Sequence, residues 1–220
     1  MTNSKIQGIA LAITRPLLWG ISGTIAQALF TNATVTANWL VSIRMLISGV
    51  LLVGYGMLKD THKNVAVWRH FGDAVYLVFF SFIGMAASQY TYFNAIDYGN
   101  AATATILQFL SPALIIIYLA IQMQRWPRRV DLISLAMALI GTILLVTHGH
   151  LTTLSIPPKG FYWGLLTALS ASLYTLLPRN LLKKYGSIPI VGWSMLIGGV
   201  AFSVFYKVWD QMPAFSWQTY

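Results

Sequence analysis

The chain has no cysteine and no glutamate, and only 9% of its 220 residues are charged. Without thiols it can form no disulfide, thiolate zinc site or iron–sulfur cluster. Its carboxylate side chains are five aspartates, Asp60, Asp73, Asp97, Asp131 and Asp210. All five lie at the ends of apolar stretches or in the joints between them, so the usual mid-membrane acid of a proton-coupled machine is missing. The histidines His62, His70, His148 and His150 also fall in joints. His148 and His150 supply two ligands without neighbouring acids, too few for a metal site. No phosphate-cradling glycine loop is present, so direct ATP hydrolysis is not expected. No metal or cofactor is expected.

What fills the space left by charge is apolar. Hydrophobic residues make up 57% of the chain at a mean hydropathy of +0.66, whereas soluble domains carry roughly 25% charge. The excess comes in blocks of about 20 residues, each long enough to cross a hydrocarbon core of about 30 Å as a helix. Seven spans follow: Gly8 to Phe30, Asn38 to Leu58, Ala74 to Ile96, Ala101 to Gln122, Val130 to Thr147, Phe161 to Leu182 and Pro189 to Trp209. A barrel would need strict alternation, and these blocks are apolar on both parities. Backbone groups in lipid must be satisfied within the segment, so the spans are helices. The expected fold class is an all-α polytopic membrane protein with seven transmembrane helices, and the first partner is the lipid bilayer.

A net charge of +9 would point to nucleic acid in a soluble protein. Here the cations sort by side. Lys5, Lys59, Lys63, Arg69, Arg125, Arg128, Arg129, Arg179, Lys183 and Lys184 fall on one side of the membrane, against Lys159 and Lys207 on the other. The positive-inside rule then puts the N-terminus in the cytoplasm, and no nucleic-acid partner is expected. The first apolar stretch is too long for a signal peptide's core and lacks a small-residue cleavage site, so it stays as a span.

A gap-free offset of 152 residues lays Gly8 to Leu58 on Gly160 to Asp210, with Gly8 on Gly160, Leu17 on Leu169, Leu29 on Leu181 and Ser42 on Ser194. Five spans separate the starts of the two copies, and an odd number reverses direction, as in the inverted repeats of transporters. Residues 1–150 read as a first five-helix repeat, and 151–220 as the first two helices of a second. On this expectation the chain is a truncated ten-helix, five-plus-five fold lacking roughly 80 residues of its second repeat.

Trp19-Gly-Ile-Ser22 in span one, Arg44 in span two, the run from Tyr90 through Asp97-Tyr-Gly-Asn-Ala-Ala to Ser111-Pro112, and Leu139 to Gly149 carry a family pattern. The chain resembles an EamA-type member of the drug/metabolite transporter superfamily. The resemblance implies ten helices in two inverted repeats around a central cavity, in a bacterial inner membrane, and export of amino acids, metabolites or drug-like compounds. The family often carries a glutamate just after helix four; this chain has Gln124-Arg125-Trp126-Pro127 there.

An arginine at the centre of a span costs roughly 3 kcal/mol to insert and normally faces a cavity or a partner. Arg15, Trp19, Ser22 and Ala26 share one stripe of span one. The offset maps this stripe onto Thr167, Ala171, Tyr174 and Pro178, beside Ser170, so Arg15, Trp19, Ser22, Ser170 and Tyr174 are candidate substrate-binding residues. Gln89, Tyr92 and Phe93 on span three and Gln108 on span four join them, although hydrogen bonds between helices account for the two glutamines equally well. Snorkelling to the interface is the alternative for Arg15. Arg44 is expected to form a structural ion pair with Asp97, with an anionic-substrate role second. Pro16, Gly20 and Gly23 allow span one to bend or pack closely, and Pro112 is expected to kink span four. Trp126, Trp163, Trp193, Trp209 and Tyr118 near span ends read as an aromatic belt.

Gly20-Ile-Ser-Gly23 also matches the G-x-S-G pattern of intramembrane serine proteases, but no histidine lies at the depth of Ser22 to act as a base. The chain is therefore expected to be no enzyme. The favoured function is a secondary transporter of small organic solutes, working by alternating access without its own coupling acid. A non-transporting scaffold or partner-binding membrane subunit is the alternative, with small-residue faces such as Gly84 to Ser88 as its contact surface; a homodimer would use the same kind of face.

Overall fold

The computed structural model describes residues 2–32, 35–124, 126–147 and 156–211. The side chains of 2–7, 9–12, 15, 16, 32, 143, 145–147 and 211 lie outside that description. Arg15, expected to line a cavity, therefore has a described backbone but no described side chain, and His148 and His150 lie wholly outside the described residues.

Among the described residues seven helical rods succeed one another: α1 Thr2–Asn32, α2 Ala37–Val65, α3 Phe71–Asp97, α4 Ala101–Met123, α5 Arg129–Thr147, α6 Pro158–Tyr185 and α7 Ser187–Phe205. No strand occurs among the described residues. Of these rods α2 (with the short helical turn to Arg69), α3, α4, α6 and α7 are long and apolar enough to cross a membrane, and Leu17–Thr31 of α1 is a shorter apolar helix. The starts are written locally. Thr36 accepts a hydrogen bond from the Trp39 backbone N–H at 3.3 Å, and Asn100 accepts one from Thr103 at 2.7 Å, so each caps the helix that follows. Gly186 stands at φ 86°, a left-handed conformation that lets α6 reverse into α7 within one residue.

Four rods are interrupted, and the interruptions shape the bundle. In α2, Asp60 leaves the helical region at φ −162°, ψ 90°. In α3 a π-helical turn spans Ser81–Ala86. In α4 the helix breaks after Gln108 and restarts at Ser111 with Pro112 in its first turn, where a missing N–H costs nothing. In α6 it breaks after Leu176 and restarts at Arg179. α1 runs through Pro16 as one helix, whereas the expected interruption at Pro112 is present.

The most extensive pairing joins α2 to α7. Lipid tails are as apolar as leucine, so burial alone does not drive two helices together in a bilayer; close packing does. Ser42, Met45, Gly49, Val53 and Gly56 form one buried stripe of α2. A Cβ on Gly49 would stand 2.5 Å from the Leu196 backbone nitrogen, and one on Gly199 would stand 2.7 Å from that of Leu46. The two backbones thus touch through glycine. α6 fills the middle against α3 and α4, held by a Thr91–Ser170 hydroxyl pair at 2.8 Å and a bond from Ser172 to the Ser111 carbonyl at 3.2 Å. Gly164 of α6 leaves room for Leu107 of α4, whose side chain would overlap any Cβ there.

Candidate functional site

α1 approaches the bundle along one edge, and the stripe Trp19, Ser22, Ala26 is the face it presents. Trp19 lies against the Tyr92 ring at 5.4 Å between centroids, and Ala26 is buried. Gly23 permits this approach, because a Cβ there would stand 3.0 Å from the Tyr92 hydroxyl. That hydroxyl is paired with Thr105 at 3.0 Å, so Tyr92 ties α3 to α4 while forming the wall behind α1. Immediately after Ala26, Gln27 Oε1 accepts the backbone N–H of Ala101 at 2.8 Å, satisfying an orphan donor at the start of α4. Gln27 escaped the sequence reading, although an amide in an apolar span was the available signal.

Arg44 is the centre of this region. Its Nη1 donates to Ser22 Oγ at 2.9 Å, and its guanidinium lies over the Phe93 ring, 5.1 Å from the centroid. The expected ion pair with Asp97 does not form. The ion pairs among the described residues are Lys63 with Asp60 at 3.6 Å and Lys184 with Asp73 at 2.6 Å. Asp97 is exposed at the end of α3, while Arg44 turns towards α1. The physical reason is direction: Arg44 and Leu40, one turn apart, share the α1-facing side of α2. Beside Ser22, Arg44 and Phe93 opens a pocket of about 300 Å³ whose remaining walls are apolar, with Leu18, Ile21 and Ile25 from α1 and Leu40 from α2. A guanidinium has five N–H donors, of which Ser22 occupies one. The aromatic ring supports the cation from one face and leaves its edge available.

The other residues expected at a cavity are dispersed. Ser170 is buried and paired with Thr91, and Tyr174 stacks on Phe80 at 6.0 Å, both inside the α3–α6 contact. Gln89 and Gln108 are half-buried, and their side-chain amides have no hydrogen-bond partner among the described residues. Trp163, expected in an aromatic belt, is half-buried and meets Tyr90 at 5.4 Å, and Tyr90 also packs on Phe202 and Tyr206, closing α3, α6 and α7 around one aromatic cluster. Trp193 is likewise committed inside, donating to the Asn64 carbonyl at 2.9 Å.

Chemically, the Arg44 pocket offers a partly desolvated cation without a carboxylate partner among the described residues, a hydroxyl and aromatic walls. It can hold an anionic or strongly accepting group attached to an apolar body. It offers Ser22 no base, since an arginine carries its proton throughout the accessible pH range.

The model of the EamA-like transporter family matches residues 6–147. The chain is 38% identical over 203 residues to YicL, an uncharacterized inner membrane transporter of Salmonella typhimurium, covering 92% of this chain and 67% of that protein. No solved structure matches the chain.

Proposed function

Because the chain belongs to the EamA-like transporter family, we propose that it is a secondary transporter of the inner membrane that exports small organic metabolites, such as amino acids or drug-like compounds. The observation that carries this reading is Arg44: a cation between helices, hydrogen-bonded to Ser22 and lying over Phe93, beside a pocket of about 300 Å³ with no carboxylate partner among the described residues. Such a group is expensive to keep in a membrane unless it serves a polar partner that comes and goes.

On this reading Arg44 and Ser22 hold the substrate's polar end, and Trp19, Tyr92 and Phe93 receive its apolar part. Gln89 and Gln108, which have no described hydrogen-bond partner, stand ready on α3 and α4, while Ser170 and Tyr174 contribute through packing. Residues 1–150 act as a first repeat and 151–220 supply two helices of a second, which rock against each other to alternate access. The N-terminus faces the cytoplasm, placing the Arg44 pocket in the outer half of the membrane. With every aspartate at a joint or a helix end, movement proceeds by facilitation or exchange through these helices.

An unbiased comparison of metabolites released by cells with and without the protein tests this directly. A released set that depends on the protein and collapses for Arg44→Gln at equal membrane abundance is the expected result. Release that is unchanged by Arg44→Gln removes Arg44 from the substrate path.

A further inference from the structure

A second polar site lies at the opposite end of α2, where its apolar stretch ends at Leu58. A pocket of about 390 Å³ opens there between the end of α2 and the start of α7, lined among others by Lys59, Asp60, Lys63, Asn64, Gly186 and Ser187. Its volume falls within the range of small-molecule sites.

Asn64 is its least ordinary member. The residue is 1% exposed, its Nδ2 donates to the Val53 carbonyl at 3.0 Å, and its own backbone carbonyl takes the Trp193 indole. Its Oδ1 is buried without a hydrogen-bond partner. Buried acceptors are rarely left so. The amide is also pinned: it lies on Gly56, where a Cβ would stand 2.9 Å from Oδ1. This wall of the pocket therefore asks for a hydrogen-bond donor.

The opposite requirement comes from the other walls. α7 is 19 residues long, and no side chain caps its first turn. Its free backbone N–H groups and the positive end of its dipole favour an anion. Lys59 and Lys63 bring two cations. Lys63 shares Asp60 with its own backbone N–H, which bonds Asp60 Oδ1 at 3.1 Å, while Lys59 lies over the Tyr55 ring, 5.9 Å from its centroid, with no carboxylate partner among the described residues. The balance is cationic, with one carboxylate, Asp60, beside the unpartnered Asn64 oxygen.

An anion receptor next to two acceptors describes a zwitterion. We propose that this pocket binds a phosphodiester carrying an ammonium group on a short arm, the headgroup of an ethanolamine phospholipid. The phosphate meets Lys59, Lys63 and the start of α7, and the ammonium donates to Asn64 Oδ1 and Asp60. The position fits a lipid source, because the site stands where the apolar rods give way to their charged ends. It is independent of the transport reading, and a binding measurement tests it without any transported substrate.

The delipidated full chain, in detergent, is offered dioleoyl phosphatidylethanolamine or dioleoyl phosphatidylcholine, and the retained lipid is read by native mass spectrometry. Choline has the same phosphate but no N–H donor. Retention of the ethanolamine lipid is expected to exceed that of the choline lipid about tenfold, the worth of one charge-assisted hydrogen bond. Replacing Lys59→Gln together with Lys63→Gln is expected to lower ethanolamine-lipid retention by about the same factor at an unchanged melting temperature. Equal retention of the two lipids, or retention untouched by the double replacement, overturns the proposal. Should the double variant fail to fold, the two-lipid comparison on the unaltered chain decides alone. Soluble glycerophosphoethanolamine distinguishes the sources: displacement of the lipid makes a free phosphodiester an equal ligand of the site, and no displacement makes the ligand a membrane lipid.

Discussion

α2 turns two faces to its neighbours, and they are built on opposite rules. Towards α7 it presents Gly49, and α7 answers with Gly192 against Val53 and Gly199 against Leu46, so that glycine brings the two backbones into contact. Towards α1 it presents Leu40 and Arg44, long residues that hold the helices apart and leave a pocket of about 300 Å³. In a bilayer, tightness has to come from close packing, so the glycine face is the stable one. A face carrying a cation and a cavity gives up those contacts. Its cation has one hydrogen-bonded neighbour, Ser22 of α1, and further N–H donors to spare. The contrast separates a tight seam from an open one along a single helix, and on the proposed function the open one carries the chemistry.

The sharpest way to break the contrast is to treat the tight face as open. Gly49→Leu must push Leu196 away through its backbone, which cannot rotate aside as a side chain can. It is expected to destabilise by about 3 kcal/mol or more, the upper end for overpacking, read as lost monodispersity and a lower melting temperature in detergent. Gly54→Leu, on the same helix with open space around its Cβ position, is the control and is expected to melt like the parent.

Next in size is the converse change on the open face. Arg44→Gln removes the charge from a site that already has room around it, so folding is expected to hold while export falls at least about tenfold, the loss of one charge-assisted contact. Arg44→Lys keeps the charge without the planar fork and is expected to fall in between. Export assayed at matched membrane abundance, with the melting temperature alongside, separates the two faces: one mutation should lose stability, the other transport.

Smaller effects come from the polar pairs that knit the rest. Thr91 and Ser170 each also reach a backbone carbonyl, of Ala87 and Thr167, so losing their mutual bond leaves neither hydroxyl orphaned. Ser170→Ala is expected to cost about 1 kcal/mol, and a double-mutant cycle with Thr91→Val to show a coupling of similar size. The least is expected from Lys184→Gln, since its bond to Asp73 at 2.6 Å lies at an exposed helix end and Tyr185 also donates to Asp73 at 2.6 Å. A melting temperature that moves less than for Ser170→Ala, and less still in high salt, checks this.

How much of this was legible beforehand depends on whether a residue's role is local. The seven rods coincide with the seven apolar blocks, because length and hydropathy act segment by segment. The caps at Thr36 and Asn100 and the break before Pro112 are equally local. The α1 stripe was readable from helical periodicity, and its Trp19, Ser22 and Ala26 do face the bundle. Its partners were not. Arg44 was matched with Asp97 because both sit towards the same end of adjacent helices, but depth says nothing about which way a side chain points around its axis. Depth likewise places Trp163 and Trp193 near span ends without showing that one meets Tyr90 and the other the Asn64 carbonyl. The π turn at Ser81–Ala86 and the bend at Asp60 carry no proline to announce them, so nothing in the pattern marked either.

By itself, then, the sequence determined that the chain is oily enough to need a bilayer, that it is helical within one, and that it has no thiol, no glutamate and no mid-span acid to work with. Each of these follows from composition or from neighbours within a helical turn. Only the tertiary structure decided that Arg44 answers to Ser22 and Phe93, that α2 is sealed to α7 by glycine, and that Asn64 is buried with an oxygen to spare. These depend on helices far apart in the chain meeting at particular angles and rotations. A rotation of a helix about its own axis leaves its hydropathy unchanged, yet it changes every partner its side chains have.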